Sequence, residues 1–270
     1  MTISRTLVCV HAHPDDEAIF TAGISSHYAA LDYDVVLVTC TNGRLGFDAQ
    51  QRAGDIAEHD DLETISTRSS ELQRSAALVG YSRVVTLGFD DSGMVGWPQN
   101  KNLRAFMNCD VDGVAQTLAA LLDEVHAAVV VTYDENGFYG HPDHIMANVV
   151  TRRALDFAES PERLYYPVVP RGAIKNFVEE AQQQGFNLPA FILEADFGIP
   201  DELLATTMDV HEYVDTKQEA LRTHGSQSDN ADLVVMEPDL FALMFGTEWF
   251  QRAWSRHDAT GDATDLFGGL

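Results

Sequence analysis

Cysteine is scarce in this 270-residue chain: Cys9, Cys40 and Cys109 are odd in number, far apart and in no C-x-x-C pair. That excludes a disulfide framework and a zinc knuckle. Cys9 and Cys40 lie inside apolar runs and read as buried, inert thiols. Positive charge is scarce too, with 17 Lys+Arg against 42 Asp+Glu, a formal charge of −25, and only Lys101, Lys175 and Lys217 as lysines. A surface of that sign repels phosphate backbones and anionic lipid, so the expected partner is a small molecule, with no nucleic acid and no membrane. No stretch approaches the ~18 apolar residues of a membrane span. The first residues hold one Arg and a short apolar run that breaks at once into His and Asp, unlike a secretory signal. The expectation is a cytoplasmic protein, and the sequence leaves a homo-oligomer open. Internal repeats, low-complexity tracts and a convincing linker are all lacking.

What is present is an ordinary globular composition, 45% hydrophobic and 22% charged, in a chain long enough for one large domain with an appendage. Residues 6–11 (TLVCVH), 34–40 (DVVLVTC), 83–87 (RVVTL) and 127–133 (AAVVVTY) read as buried strands, being β-branched and too short for helices. Helices are predicted near 18–31, 66–79 (capped by Ser66, ended by Gly80) and 112–126. This alternation predicts an α/β fold: a Rossmann-like open, mainly parallel sheet with helices on both faces. The connections 41–65 and 88–111 are long for such a fold and leave the carboxyl edge of the sheet, which suits lids or binding loops. Farther on, strands are expected at 163–169 and 206–210, helices at 172–184, 214–224 and 239–254, and a loose tail at 257–270. The expected organisation is a catalytic core over 1–160. A smaller α+β portion over 161–270 packs on it and completes the substrate site.

Chemistry concentrates in two places. The first strand runs into His11-Ala12-His13-Pro14-Asp15-Asp16-Glu17, and the fourth leads into His141-Pro142-Asp143-His144. In a sheet ordered 3-2-1-4 these strands flank the topological switch point, so the two clusters face one crevice. Imidazole with carboxylate is a typical zinc donor set, and a catalytic ion keeps three protein ligands. His13, Asp16 and His144 can supply them, and iron(II) accepts the same donors. Asp15 then stands beside the ion as a general base. His141 is free to act as acid or electrostatic stabiliser, with Asp143 available to hold its tautomer or raise its pKa. Glu17 reads as an ordinary first-turn acid favoured by the helix dipole.

A strand ending in A-H-P-D-D-E with a later H-P-D-H resembles the LmbE/PIG-L zinc-dependent de-N-acetylases, within them the branch of mycothiol-biosynthesis deacetylases and mycothiol S-conjugate amidases. The resemblance extends to Arg68-x-x-Glu71, to residues 88–94 (GFDDSGM), to 132–137 (TYDENG), to Lys217-x-x-Ala220-Leu221-x-x-His224-x-Ser226-Gln227 and to Asp265-Leu266-Phe267. It implies zinc on His13, Asp16 and His144, Asp15 as base, His141 protonating the amine or steadying the oxyanion, and Tyr139 assisting. It also implies Arg68 and Asp91 lining a sugar site, with His224 a further candidate. The implied reaction is removal of an N-acetyl group from a small amino sugar, with release of acetate. Amidase action on a mycothiol S-conjugate is the alternative. A non-catalytic metal-binding module is more remote, since it would lack Asp15 or His141, and both are present. Two departures bear on substrate: Arg44 stands where the family has an acid, and Phe138 adds a ring beside Tyr139. Arg44 and Arg68 could together receive an acid group. No G-x-G-x-x-G follows the first strand, and Ser92 lies in no G-x-S-x-G elbow, which excludes dinucleotide binding and serine hydrolysis.

Overall fold

The computed structural model describes residues 5–183, 198–257 and 263–270. Four apolar runs form β1 (Thr6–His11), β2 (Asp34–Thr41), β3 (Arg83–Phe89) and β4 (Val129–Val131), and β5 (Arg163–Val168) joins them in parallel. Antiparallel β7 (Thr247–Ser255) and β6 (Thr206–Asp209) complete one seven-stranded sheet in the order β3-β2-β1-β4-β5-β7-β6. The 3-2-1-4 order therefore holds, and the C-terminal strands continue the same sheet.

Alternate residues of each strand serve opposite faces, as a two-residue period requires. Leu7, Cys9, Leu37 and Val129 pack with α2 (Ala22–Ala30), α3 (Asp61–Val79), α8 (Val214–Thr223) and α10 (Pro238–Phe245) through Ile24, Leu72, Leu221 and Phe241. Val8, Val10, Val38 and Val130 pack with α4 (Val111–Glu124) and α6 (Pro142–Ala154) through Leu118, Ala147 and Val150. Among the described residues, the remaining α-helices are α1 (Asp16–Phe20), α5 (Gly137–Gly140), α7 (Arg171–Gln183) and α9 (Ala231–Val234). Among the described residues, no helix is long and apolar enough to cross a membrane.

Several boundaries differ from expectation for local reasons. The helix expected over 18–31 is broken at Thr21, whose extended φ of −139° separates α1 from α2. The Thr21 hydroxyl is held by His11 Nε2 at 2.8 Å. α3 starts five residues before Ser66, because the Asp60 carboxylate accepts from the Glu63 amide; it stops where Gly80 turns to φ 95°. The helix expected over 239–254 ends at Phe245, and the aromatic stretch after Gly246 becomes β7 instead. That stretch pairs with both β5 and β6. The helix expected over 172–184 appears as α7, and Gln184 lies outside the described residues.

The expected loose tail is docked over residues 263–270, while 258–262 lie outside the described residues. Leu266 and Phe267 are buried. Tyr28 donates to the Asp265 carboxylate at 2.8 Å and accepts the Leu266 amide at 2.9 Å. Arg163 reaches the Leu266 carbonyl at 2.9 Å. Burying two such apolar side chains is worth about 1.5–3 kcal/mol each. The long connections at the carboxyl edge are fastened as well. In the first, Gln227 accepts the Phe47 amide and His59 bonds the Gly46 carbonyl. The second carries 3-10 turns at Pro98–Lys101 and Phe106–Asn108 and a bridge between Asp90 and Ala105.

Candidate active site

The crevice lies beyond the carboxyl ends of β1 and β4. The two crossing loops are pinned to each other before any functional group is placed. Tyr133, just past β4, accepts the Ala12 amide at 2.9 Å, and Thr41 bonds the Ala12 carbonyl through both its amide and its hydroxyl, each at 2.9 Å. Pro142 opens α6 at its first turn, where a missing N–H costs nothing, and His141 caps it by accepting the Asp143 amide on Nδ1 at 3.1 Å.

Within this frame His13, Asp16 and His144 converge. His13 Nδ1 lies 3.4 Å from Asp16 Oδ2, His144 Nε2 lies 3.4 Å from Asp16 Oδ1, and the two imidazole nitrogens are 3.3 Å apart. The His13 amide also donates to Asp16 Oδ2 at 2.7 Å, which fixes the turn. On its other side His13 Nε2 meets Asp143 Oδ2 at 3.3 Å and Asp91 Oδ1 at 3.7 Å. Donor atoms of His13, His141 and His144, and of His13, Asp91, His141 and Asp143, form two groups spaced closely enough for one ion. Tyr133 stacks on the His144 ring at 4.0 Å and sets its plane. The His144 Nδ1 atom is buried without a hydrogen-bond partner.

The electrostatics follow from crowding. Burial disfavours the charged His13, but Asp91, Asp143 and Asp16 outweigh it and raise its pKa well above the ordinary value. Burial pushes the Asp16 carboxyl up, and His144 and His13 more than reverse this, holding it well below the carboxylate range. Asp91 is lowered the same way: His13 and then His141 overcome its burial. Asp143 is raised, chiefly by its burial. Burial, helped by His13, holds the His141 imidazole down to about 3. The carboxylates of Asp16, Asp91 and Asp143 thus gather around three imidazoles, a nitrogen and oxygen donor set that suits a borderline divalent cation.

Asp15 sits at the strained turn into α1, with φ 120°. Its carboxylate is held by the Arg68 guanidinium at 3.1 Å and by Asn230 Nδ2 at 3.2 Å. Arg68 is itself buried and donates to the Gly43 carbonyl at 2.9 Å and to the Pro14 carbonyl. Tyr139 is 56% exposed at the mouth, its ring centre 4.9 Å from that of His144. Phe138, at φ 65°, packs its ring against Phe20, 5.0 Å away between centres.

Three expectations are revised by the geometry. Asp143 meets His141 through its backbone amide and not its carboxylate, which accepts the Ser92 amide at 2.8 Å and the Ser92 hydroxyl and faces His13. Burial, helped by His13, lowers the His141 pKa, where a raised one was expected. Glu17 is more than a first-turn acid favoured by the helix dipole: it is wholly buried, accepting from His224 Nε2 at 2.7 Å, the Ser75 hydroxyl at 2.5 Å and the Asp15 amide at 3.0 Å. Of the residues expected to touch substrate, Asp91 lies in the central cluster and Arg68 lies behind Asp15. His224 lies on Glu17, and Arg44 is engaged by Asp90 at 2.9 Å and by Asp61. Ser92, Tyr133 and Asn230 are site residues that the sequence reading missed. Ser92 and Tyr133 do fall in the GFDDSGM and TYDENG stretches, whereas Asn230 follows the late Ser226-Gln227 pair with no pattern of its own.

Comparison with known proteins places this geometry in a family. The sequence profile described as GlcNAc-PI de-N-acetylase (PIG-L) matches residues 8–155. A 1D-myo-inositol 2-acetamido-2-deoxy-alpha-D-glucopyranoside deacetylase of Acidothermus cellulolyticus is 37% identical, over 98% of this chain and 95% of its own. A protein of the same name from Saccharomonospora viridis is 36% identical over 98% and 100%. Among solved structures, an N,N'-diacetylchitobiose deacetylase from Pyrococcus horikoshii superposes with a TM-score of 0.60 at 19% identity, covering 92% of this chain and 84% of that one. A 4-carboxy-2-hydroxymuconate hydratase from Pseudomonas putida superposes with a TM-score of 0.62 at 16% identity, covering 95% and 99%. At such identities the likeness is one of fold, and that fold carries both a deacetylase and a hydratase, so the reaction must be read from the site. Sequence and fold agree that the chain belongs to the GlcNAc-PI de-N-acetylase (PIG-L) family.

Proposed function

We propose that this chain is a metal-dependent amide hydrolase that removes the acetyl group from an N-acetylglucosaminyl substrate, the 2-acetamido sugar on inositol for which its relatives are named. The observation that carries the reading is the convergence of His13, Asp16 and His144 within 3.3–3.4 Å of one another, with Asp15 fixed beside them by Arg68 and Asn230. His13, Asp16 and His144 would hold the ion, zinc by donor type, with iron(II) accepted by the same atoms. Such an ion supplies Lewis acidity, polarising an amide carbonyl and acidifying water.

The protein's own groups do the rest. Asp15 takes the proton of the attacking water. His141 accepts the Asp143 amide on Nδ1, so Nε2 carries the hydrogen and donates to the oxygen that gains charge. Tyr139, exposed at the mouth, adds a second donor. Asp15 then returns its proton to the departing amine, with His141 the other candidate donor. Asp91 and Asp143 hold His13, and Asp91 also faces the sugar; Arg44, paired with Asp90 and Asp61, would have to give up an ion pair to receive substrate beyond β2. The portion after residue 160 completes the site, a role supported by Asn230 reaching Asp15. Acetate release by the zinc-loaded protein, measured over a panel of N-acetylated amino sugars that includes the glucosaminyl-inositol, tests the reading. Cleavage of a cysteinyl amide without acetate release would favour the amidase alternative. Asp15→Ala with full zinc occupancy and unchanged turnover would remove Asp15 as base.

A further inference from the structure

An acid in the first turn of a helix ordinarily faces solvent and the dipole. Glu17 is wholly buried instead, and both of its carboxylate oxygens are committed. Oε2 accepts the backbone amide of Asp15 at 3.0 Å; Oε1 accepts His224 Nε2 at 2.7 Å and the Ser75 hydroxyl at 2.5 Å. The peptide it grips is the strained one: Asp15 has φ 120° and ψ −26°, a region that a residue with a Cβ leaves unless its surroundings hold it. We propose that Glu17 is a positioning residue for Asp15, clamping the base's backbone from below while Arg68 and Asn230 clamp its carboxylate from the side. Ser75 comes from α3 and His224 from the end of α8, so the two helices that flank α1 are tied to the base through one carboxylate.

A buried charged group could serve packing alone. What argues for positioning is the third bond. An acid needed only to join α3 and α8 would have no reason to spend an oxygen on the amide of the residue whose side chain does the chemistry. Groups that orient a reacting residue in this way change turnover by about 10–100-fold when removed. The inference rests on the reading of Asp15 as general base, and the test separates the two.

Glu17→Gln preserves shape but puts a donor NH2 where one carboxylate oxygen accepted. With the zinc-loaded protein and the N-acetylglucosaminyl inositol as substrate, kcat is expected to fall about 10–100-fold while KM moves less than about threefold and zinc stoichiometry holds. In an Asp15→Asn background the same change should cost less than about twofold more, because both substitutions act through one carboxylate. Full additivity of the two losses, or a loss confined to KM or zinc content, would overturn the inference. Wild-type turnover in Asp15→Asn alone would instead overturn the base assignment. Should Glu17→Gln not fold, Ser75→Ala removes a single donor. It is expected to lower kcat by about 2–5-fold and to show the same non-additivity with Asp15→Asn, and additivity there overturns the inference equally.

Discussion

Replacing Lys217 by Met should destabilise the protein sharply without touching the crevice. Lys217 Nζ lies 2.6 Å from Glu248 Oε1, with side-chain exposures of 2% and 6%, and sits 5.1 Å from the centre of the Phe245 ring. At an effective dielectric of about 20, a pair at that separation attracts by about 6 kcal/mol, most of it offset by the desolvation of both ions. Removing only the cation leaves the desolvation of Glu248 uncompensated, a loss of about 3–5 kcal/mol in typical buried pairs. Here the low end is expected, because Glu248 also accepts the Gly23 and Ile24 amides at 3.0 Å each and so caps α2. About 3 kcal/mol at about 2–4 °C per kcal/mol predicts a melting temperature lower by about 6–12 °C. Glu248→Gln should cost at least as much, since it strands a buried ammonium and weakens the cap. The double variant should recover part of the loss, giving a coupling of about 1–3 kcal/mol in a denaturation cycle. A shift below about 2 °C for Lys217→Met, or no coupling, would mean that the buried pair adds nothing to stability.

Leu266→Ala should cost about 2–4 kcal/mol by opening a cavity in the apolar cluster that its buried side chain joins, while its main-chain bonds to Tyr28 and Arg163 remain, and an unchanged denaturation midpoint would mean that the C-terminal segment is not docked. At Gly137, φ is 62°, and a Cβ would meet His144 Cβ at 2.7 Å and the Ile145 backbone nitrogen at 2.8 Å. Gly137→Ala should therefore lose about 1–3 kcal/mol and bind zinc more weakly in a chelator competition, and unaltered affinity would contradict the placement of His144. Burial pushes the Asp48 carboxyl up, but the Arg52 guanidinium and the amides of Arg52, Asp60 and Gln50 outweigh it and hold it below the usual range. A pKa lowered on folding adds stability that is complete above about pH 4 and drains as pH falls toward the folded value. Asp48→Asn should then melt lower than wild type at neutral pH, with the gap closing below about pH 4; a gap independent of pH would refute it.

The residues legible in the sequence are those whose chemistry is local. His13, Asp15 and Asp16 share one turn after an unmistakable strand, and His141, Asp143 and His144 share another, so the α/β pattern alone brings them to one edge. Glu17 is misread because its partners Ser75 and His224 lie 58 and 207 residues away, while its position invites the dipole explanation. Asp143 is misdirected for a related reason. It neighbours His141 in sequence, but the helix start turns only its amide that way and sends the carboxylate to His13 and Ser92. In the C-terminal third the apolar residues of α10 and β7 run together, and Gly246 is a faint boundary between a 3.6-residue and a 2-residue period. The tail looked too small and acidic to dock, yet Leu266 and Phe267 anchor it and Asp265 bonds Tyr28.

In the proposed reaction the His13, Asp16 and His144 cluster holds the ion for acetamide hydrolysis. The most direct measurement is acetate release from the N-acetylglucosaminyl inositol by protein stripped with a chelator and then titrated with zinc. Stripping should abolish release, about one equivalent of zinc should restore it, and His144→Ala should recover neither zinc binding nor turnover. Undiminished release from the stripped protein, or none from the zinc-loaded one, would contradict that role of the cluster.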